Sequence, residues 1–203
     1  MDPKVFGVGM QRTGTTSLGR ALTLLGYKTI HFPSWLWEME DPSLLDQYEA
    51  FTDNPIPLLY KDLDERHPGS KFILTVRNEE KWLASCQWMF ETKREDWGFD
   101  RSTRIQGMHH ALYGTNHFDR DAFSAAYRRH NADVIAYFAD RHDDLLVLDV
   151  DAGLEWGPLC AFLGQPVPSA PFPHSNKGGV LSEAKRRLKR LLGPLWRLVR
   201  GRR

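Results

Sequence analysis

Lys4-Val5-Phe6-Gly7-Val8-Gly9-Met10-Gln11-Arg12-Thr13-Gly14-Thr15-Thr16-Ser17-Leu18 is the stretch on which the architecture turns. Its first half is a short apolar run ending in glycine, the pattern of a buried strand that feeds a turn. From Thr15 onward Leu18, Ala21, Leu22 and Leu25 recur at helical spacing, and Gly26 closes that helix. Residues 27–32 then form a second strand. Strand, glycine-bearing loop, helix and strand make a βαβ unit.

The alternation continues outward. A short helix over 58–66 is stopped by His67-Pro68-Gly69, and Lys71–Val76 is the clearest strand in the chain. Asn78 caps the next helix, with Glu79 and Glu80 in the first turn where the helix dipole favours acids. A helix over 121–141, a strand over 145–150, a helix over Trp156–Leu163 and a proline-rich loop over 166–173 complete the body. Strands alternating with helices imply an α/β fold of three layers with a mostly parallel central sheet.

Gly9 to Thr16 has the G-x-x-x-x-G spacing of a P-loop, in which backbone N–H groups wrap phosphate oxygens at a helix N-terminus. The position normally held by lysine is Thr15. Without that lysine a γ-phosphate site is poorly supported, which argues against a small-molecule kinase working on magnesium and ATP. Arg12 offers a fixed cation instead, and Thr15, Thr16 and Ser17 offer hydroxyls.

Gln11-Arg12-Thr13-Gly14-Thr15-Thr16-Ser17-Leu18 resembles the 5′-phosphosulfate-binding loop of PAPS-dependent sulfotransferases, in a bacterial-type branch of that P-loop superfamily. Arg77, ending a strand, and Ser85, eight residues on, match the family's pair for the 3′-phosphate of PAPS. The resemblance runs over residues 4–178 and includes Thr52-Asp53-Asn54-Pro55. It implies a sulfuryl transferase with PAPS as donor, PAP as product, no metal, and a small-molecule acceptor. Lys177 is similar to the lysine that closes over the 3′-phosphate. Asp53, two residues before Pro55 and 24 before Arg77, stands where cytosolic relatives carry a catalytic histidine, so it is the favoured general base. His31, ending the second strand with Glu38 behind it, competes for that role. Arg12 fits the cation near the leaving oxygen. A catalytically silent nucleotide-binding protein is the rival from another class.

His109, His110 and His117 lack metal-ligand spacing. Acceptor-side loops are expected within 33–50 and 91–120, and Trp35, Trp37, Trp88 and Trp97 point to an apolar or aromatic acceptor. Residues 181–203 carry nine Lys and Arg against one Glu, whereas the rest of the chain has 18 basic and 25 acidic side chains. A domain over 1–180 followed by a basic amphipathic helix is expected, the helix suited to an anionic membrane surface. The acidic body speaks against nucleic acid. Two cysteines and the absence of a signal-peptide pattern fit the cytoplasm, with peripheral contact at the inner membrane face.

Overall fold

The computed structural model describes residues 3–38 and 42–175. Its elements are β1 (Val5–Gly7), α1 (Thr15–Leu24), β2 (Thr29–His31), β3 (Ala50–Thr52), α2 (Ile56–Arg66), β4 (Lys71–Val76), α3 (Glu79–Thr92), α4 (Thr103–Tyr113), α5 (Arg120–Tyr137), β5 (Leu145–Asp149) and α6 (Trp156–Leu163). All belong to the compact unit Met1–Pro173; the second unit is described only at His174 and Ser175.

Five strands pair in the order β2-β3-β1-β4-β5, every pair parallel. Side chains alternate across the sheet, so each strand feeds two cores. Val5 and Ile73 face α1 and α6, together with Leu18, Leu22 and Leu159. Phe6, Phe72 and Leu74 face α2 and α5, with Ile56, Leu63, Val134 and Phe138. Phe6 is in register with Phe51 on one side and Phe72 on the other. The three rings form a row, each stabilising by roughly 1.5–3 kcal/mol through burial. A third cluster under α3, α4 and α5 is built on Trp82, Phe90 and Phe123.

The expected α/β class holds, with several departures in detail. β1 and β2 are parallel but not neighbours, because β3 lies between them. β3 was not legible as a strand: three residues are too few to display alternation, and only pairing on both edges defines it. The 91–120 segment, expected as an acceptor-side loop, contains α4. Ser102 accepts from Ile105 N at 3.3 Å to start that helix, and left-handed Gly114 ends it. In the 33–50 segment two 3₁₀ turns, Ser34–Trp37 and Pro42–Gln47, replace open loop. The helix expected over 121–141 stops at Tyr137. Among the described residues no helix is long and apolar enough to cross a membrane. Lys177 and the basic 181–203 segment lie outside the described residues.

Candidate active site

Parallel strands bring all their carboxyl ends to one edge, and the ends of β1, β2, β3 and β4 carry or lead into residues singled out above. The β1–α1 loop crosses β4 at Gly9. A Cβ there would lie 2.0 Å from Thr75 Oγ1 and 2.6 Å from Thr75 O, so only glycine permits the crossing. Gly14, at φ 89°, turns the chain into α1, whose N-terminus has neither a side-chain cap nor an acid in its first turn. That leaves its N–H groups and partial positive charge available to an anion.

Two loop residues expected to touch nucleotide turn inward instead. The Thr13 hydroxyl donates to Met10 O at 2.6 Å and lies 2.7 Å from the Thr75 hydroxyl, and the residue is fully buried. Gln11 accepts from Asn54 Nδ2 at 3.2 Å and donates from Nε2 to the Tyr113 hydroxyl at 3.0 Å. Thr15 and Thr16 face the base candidates. Thr15 Oγ1 donates to Asp53 Oδ2 at 3.1 Å, and Thr16 Oγ1 is 3.2 Å from His31 Nε2.

The two base candidates meet. His31 Nε2 lies 3.2 Å from Asp53 Oδ2. Strand register accounts for this, since His31 pairs with Thr52 at the ends of β2 and β3. His31 Nδ1 is 3.0 Å from the buried Thr52 hydroxyl. A hydrogen on Nε2 is shared between Asp53 Oδ2 and the Thr16 hydroxyl, and the Thr52 hydroxyl faces Nδ1. Asp53 Oδ1 accepts from Asn54 N at 2.8 Å, which shapes the turn, while Oδ2 is left to the site. Asp53 and Arg12 are non-glycine residues with left-handed backbone, at φ 73° and 71°. Such strain costs roughly 1–3 kcal/mol and persists where surrounding contacts enforce it.

The third group is cationic. Arg12 Nε donates to Ser85 Oγ at 2.9 Å, and its guanidinium carbon lies 5.5 Å from the centre of the Trp88 ring. Arg77 Nη1 lies 3.5 Å from Arg12 O, and Arg77 Nε is buried without a partner. Burial pushes the Arg12 guanidinium below its ordinary value, and Arg77 acts in the same direction. Among the described residues neither guanidinium forms an ion pair with a carboxylate. Two partly desolvated cations beside a hydroxyl, without a counter-ion, suit a phosphate dianion.

Tyr127 sets the end of β4. Its hydroxyl accepts from Arg77 N at 2.8 Å and donates to Arg77 O at 2.7 Å, with the ring stacked 4.3 Å from Trp82. Tyr127→Phe strands both backbone groups and should lower stability by about 1–3 kcal/mol in urea titration.

A family model described as "Sulfotransferase domain" matches residues 4–181. The chain belongs to the sulfotransferase family. A curated relative, "Ava biosynthesis cluster protein M" of Aspergillus versicolor, is 26% identical over 84% of this chain and 80% of its own length. A crystal structure of a sulfotransferase from Alicyclobacillus acidocaldarius shares the fold at TM-score 0.56 and 16% identity, covering 96% of this chain and 92% of that one.

Other side chains of this sulfotransferase settle into different roles. Glu38 pairs with Arg104 on α4 at 2.9 Å rather than backing His31. His109 is buried against Phe90 and Phe99, and burial pulls it down to about 4, so it is a neutral core histidine. Trp37 packs against Gly107, where a Cβ would lie 2.9 Å from its Nε1. Trp88 stands beside Arg12 rather than in the 91–120 segment, and Trp97 is exposed. The sequence carried no sign of Tyr127, whose partners are main-chain atoms 50 residues away. Ser102 and Gly114, by contrast, were readable signals for α4.

Proposed function

We propose that this sulfotransferase moves a sulfuryl group from PAPS to an acceptor hydroxyl or amine of a small molecule by in-line displacement at sulfur. The observation that carries the reading is the convergence of its two phosphate segments. The P-loop residue Arg12 reaches Ser85, and Arg77 reaches the backbone of Arg12, and among the described residues neither cation pairs with a carboxylate. The orphaned Arg77 Nε fits an additional anionic oxygen.

In this reading the N–H groups at the start of α1, with the Thr15, Thr16 and Ser17 residues, hold the 5′ side. Arg77 and Ser85 hold the 3′-phosphate. The donor, when bound, supplies a sulfuryl group on a phosphate leaving group. Asp53 Oδ2 takes the acceptor proton as the new bond to sulfur forms, and His31 Nε2–H steadies the carboxylate. Arg12 supplies positive charge as the bridging oxygen departs.

Thermal unfolding with PAP, with ADP and with ATP-magnesium tests the donor. At 100 times its Kd, PAP should add about 2.7 kcal/mol, raising Tm by roughly 5–10 °C. ADP and ATP-magnesium should do much less. A larger shift with ATP-magnesium than with PAP would overturn the donor assignment. Radiolabelled PAPS offered with a panel of phenols, alcohols and amines tests transfer itself, and the failure of every acceptor would favour a silent nucleotide binder.

A further inference from the structure

Gln11 stands at a junction of four segments. Its main-chain oxygen accepts from Trp82 Nε1 of α3 at 2.9 Å. Its side chain donates to the Tyr113 hydroxyl at the end of α4 and accepts from Asn54 Nδ2, beside Asp53. The residue is 8% exposed, and Tyr113 and Asn54 are 3% and 1% exposed. Burial holds the Tyr113 phenol well above its ordinary value, so it remains a neutral hydroxyl able to donate or accept. Nothing in this arrangement aims the Gln11 amide at a nucleotide.

We infer that Gln11 is a positioning residue that clamps the Asp53 turn to the phosphate loop, setting the distance between the base and the group being transferred. The inference rests on the reading of Asp53 as the base of sulfuryl transfer. The turn and the loop are tied at two points, Asn54 to Gln11 in the interior and Asp53 to Thr15 in the site. Asp53 occupies a left-handed conformation, which its side-chain bond to Asn54 N supports locally and the contacts to Gln11 and Thr15 hold in place. With the Gln11 amide gone, Asn54 Nδ2 and the Tyr113 hydroxyl each lose a buried partner, and the strained turn can relax. A displacement of about 1 Å at the base can lower a rate on the order of 100-fold without touching nucleotide affinity.

The test compares wild type with Gln11→Leu, Gln11→Glu and Tyr113→Phe. Gln11→Glu is the conservative rescue, because one carboxylate oxygen accepts from Asn54 Nδ2 while the other accepts from the Tyr113 hydroxyl. Transfer from radiolabelled PAPS to the best acceptor of the panel is measured together with PAP affinity by calorimetry, rates being scaled to the PAP-binding-competent fraction. Gln11→Leu should lower kcat about 10- to 100-fold with PAP affinity and the KM for PAPS within about threefold of wild type. Gln11→Glu should recover most of the rate, and Tyr113→Phe should show a smaller loss. Equal falls in PAP affinity and kcat would overturn the inference by making Gln11 a nucleotide ligand. An unchanged kcat per competent site would overturn it by leaving only a structural role. Wild-type protein that transfers no sulfuryl group, or Asp53→Asn at full turnover, defeats the underlying reading instead; the two failures are therefore separable.

Discussion

Asp53→Asn is expected to lower turnover about 100- to 10,000-fold while PAP affinity stays within about threefold, the range lost when a positioned general base is removed. The substitution preserves shape, and Asn can still accept from Asn54 N, so the turn survives. What disappears is the oxygen that Thr15 Oγ1 and His31 Nε2 both face, at 3.1 and 3.2 Å. An amide there cannot take the acceptor proton. His31→Ala should cost less, because it removes the partner of the proposed base rather than that base itself. Since the two side chains touch, the double variant should fall little below Asp53→Asn alone. Initial rates with saturating PAPS and calorimetry with PAP provide both readings. Near-normal turnover in Asp53→Asn would move the base to His31.

Gly9→Ala should produce the largest loss of stability, about 3–5 kcal/mol, the upper end for an overpacked site. Its Cβ would lie 2.0 Å from Thr75 Oγ1, 2.6 Å from Thr75 O and 2.8 Å from Thr75 N. A side chain could rotate away, but main-chain atoms of a central strand cannot. Thr75→Ala therefore should not rescue it, and would also deprive the Thr13 hydroxyl of its neighbour. Gly157→Ala is the matched control: nothing lies within 4 Å of its Cβ position, and it sits inside α6. That change should be neutral or stabilising by about 0.5–1 kcal/mol. Urea unfolding followed by tryptophan fluorescence compares them. A Gly9→Ala protein within about 1 kcal/mol of wild type would mean the loop can move off β4, contrary to the rigid phosphate cradle proposed above.

Strong local signals explain how much could be read directly. The β1–loop–α1 segment, the Lys71–Val76 strand, the Asn78 cap and the helix of Trp82 and Phe90 all declare themselves within a few residues. Their hydrophobic period and turn chemistry depend on neighbours in the chain. The same locality made Arg12, Thr15 and Thr16 visible as candidates, because loop positions are set by spacing, whereas Arg77 and Ser85 became candidates through the resemblance to the family's 3′-phosphate pair. Ser102 and Gly114 would have marked α4, but Gly107 and the adjacent histidines weakened the helical pattern between them.

Tertiary structure decided what depends on neighbours in space. β3 exists because β1 and β2 pair with both its edges, and its insertion between them brings His31 beside Asp53. Two residues read as alternative bases thereby become one hydrogen-bonded pair. Thr13 and Gln11 carry the right side chains for a ligand, yet packing turned both inward, and local sequence does not encode the direction a side chain takes when a loop folds over a sheet. The chemistry of this site was written along the chain; which groups touch was settled by the sheet order that set them side by side.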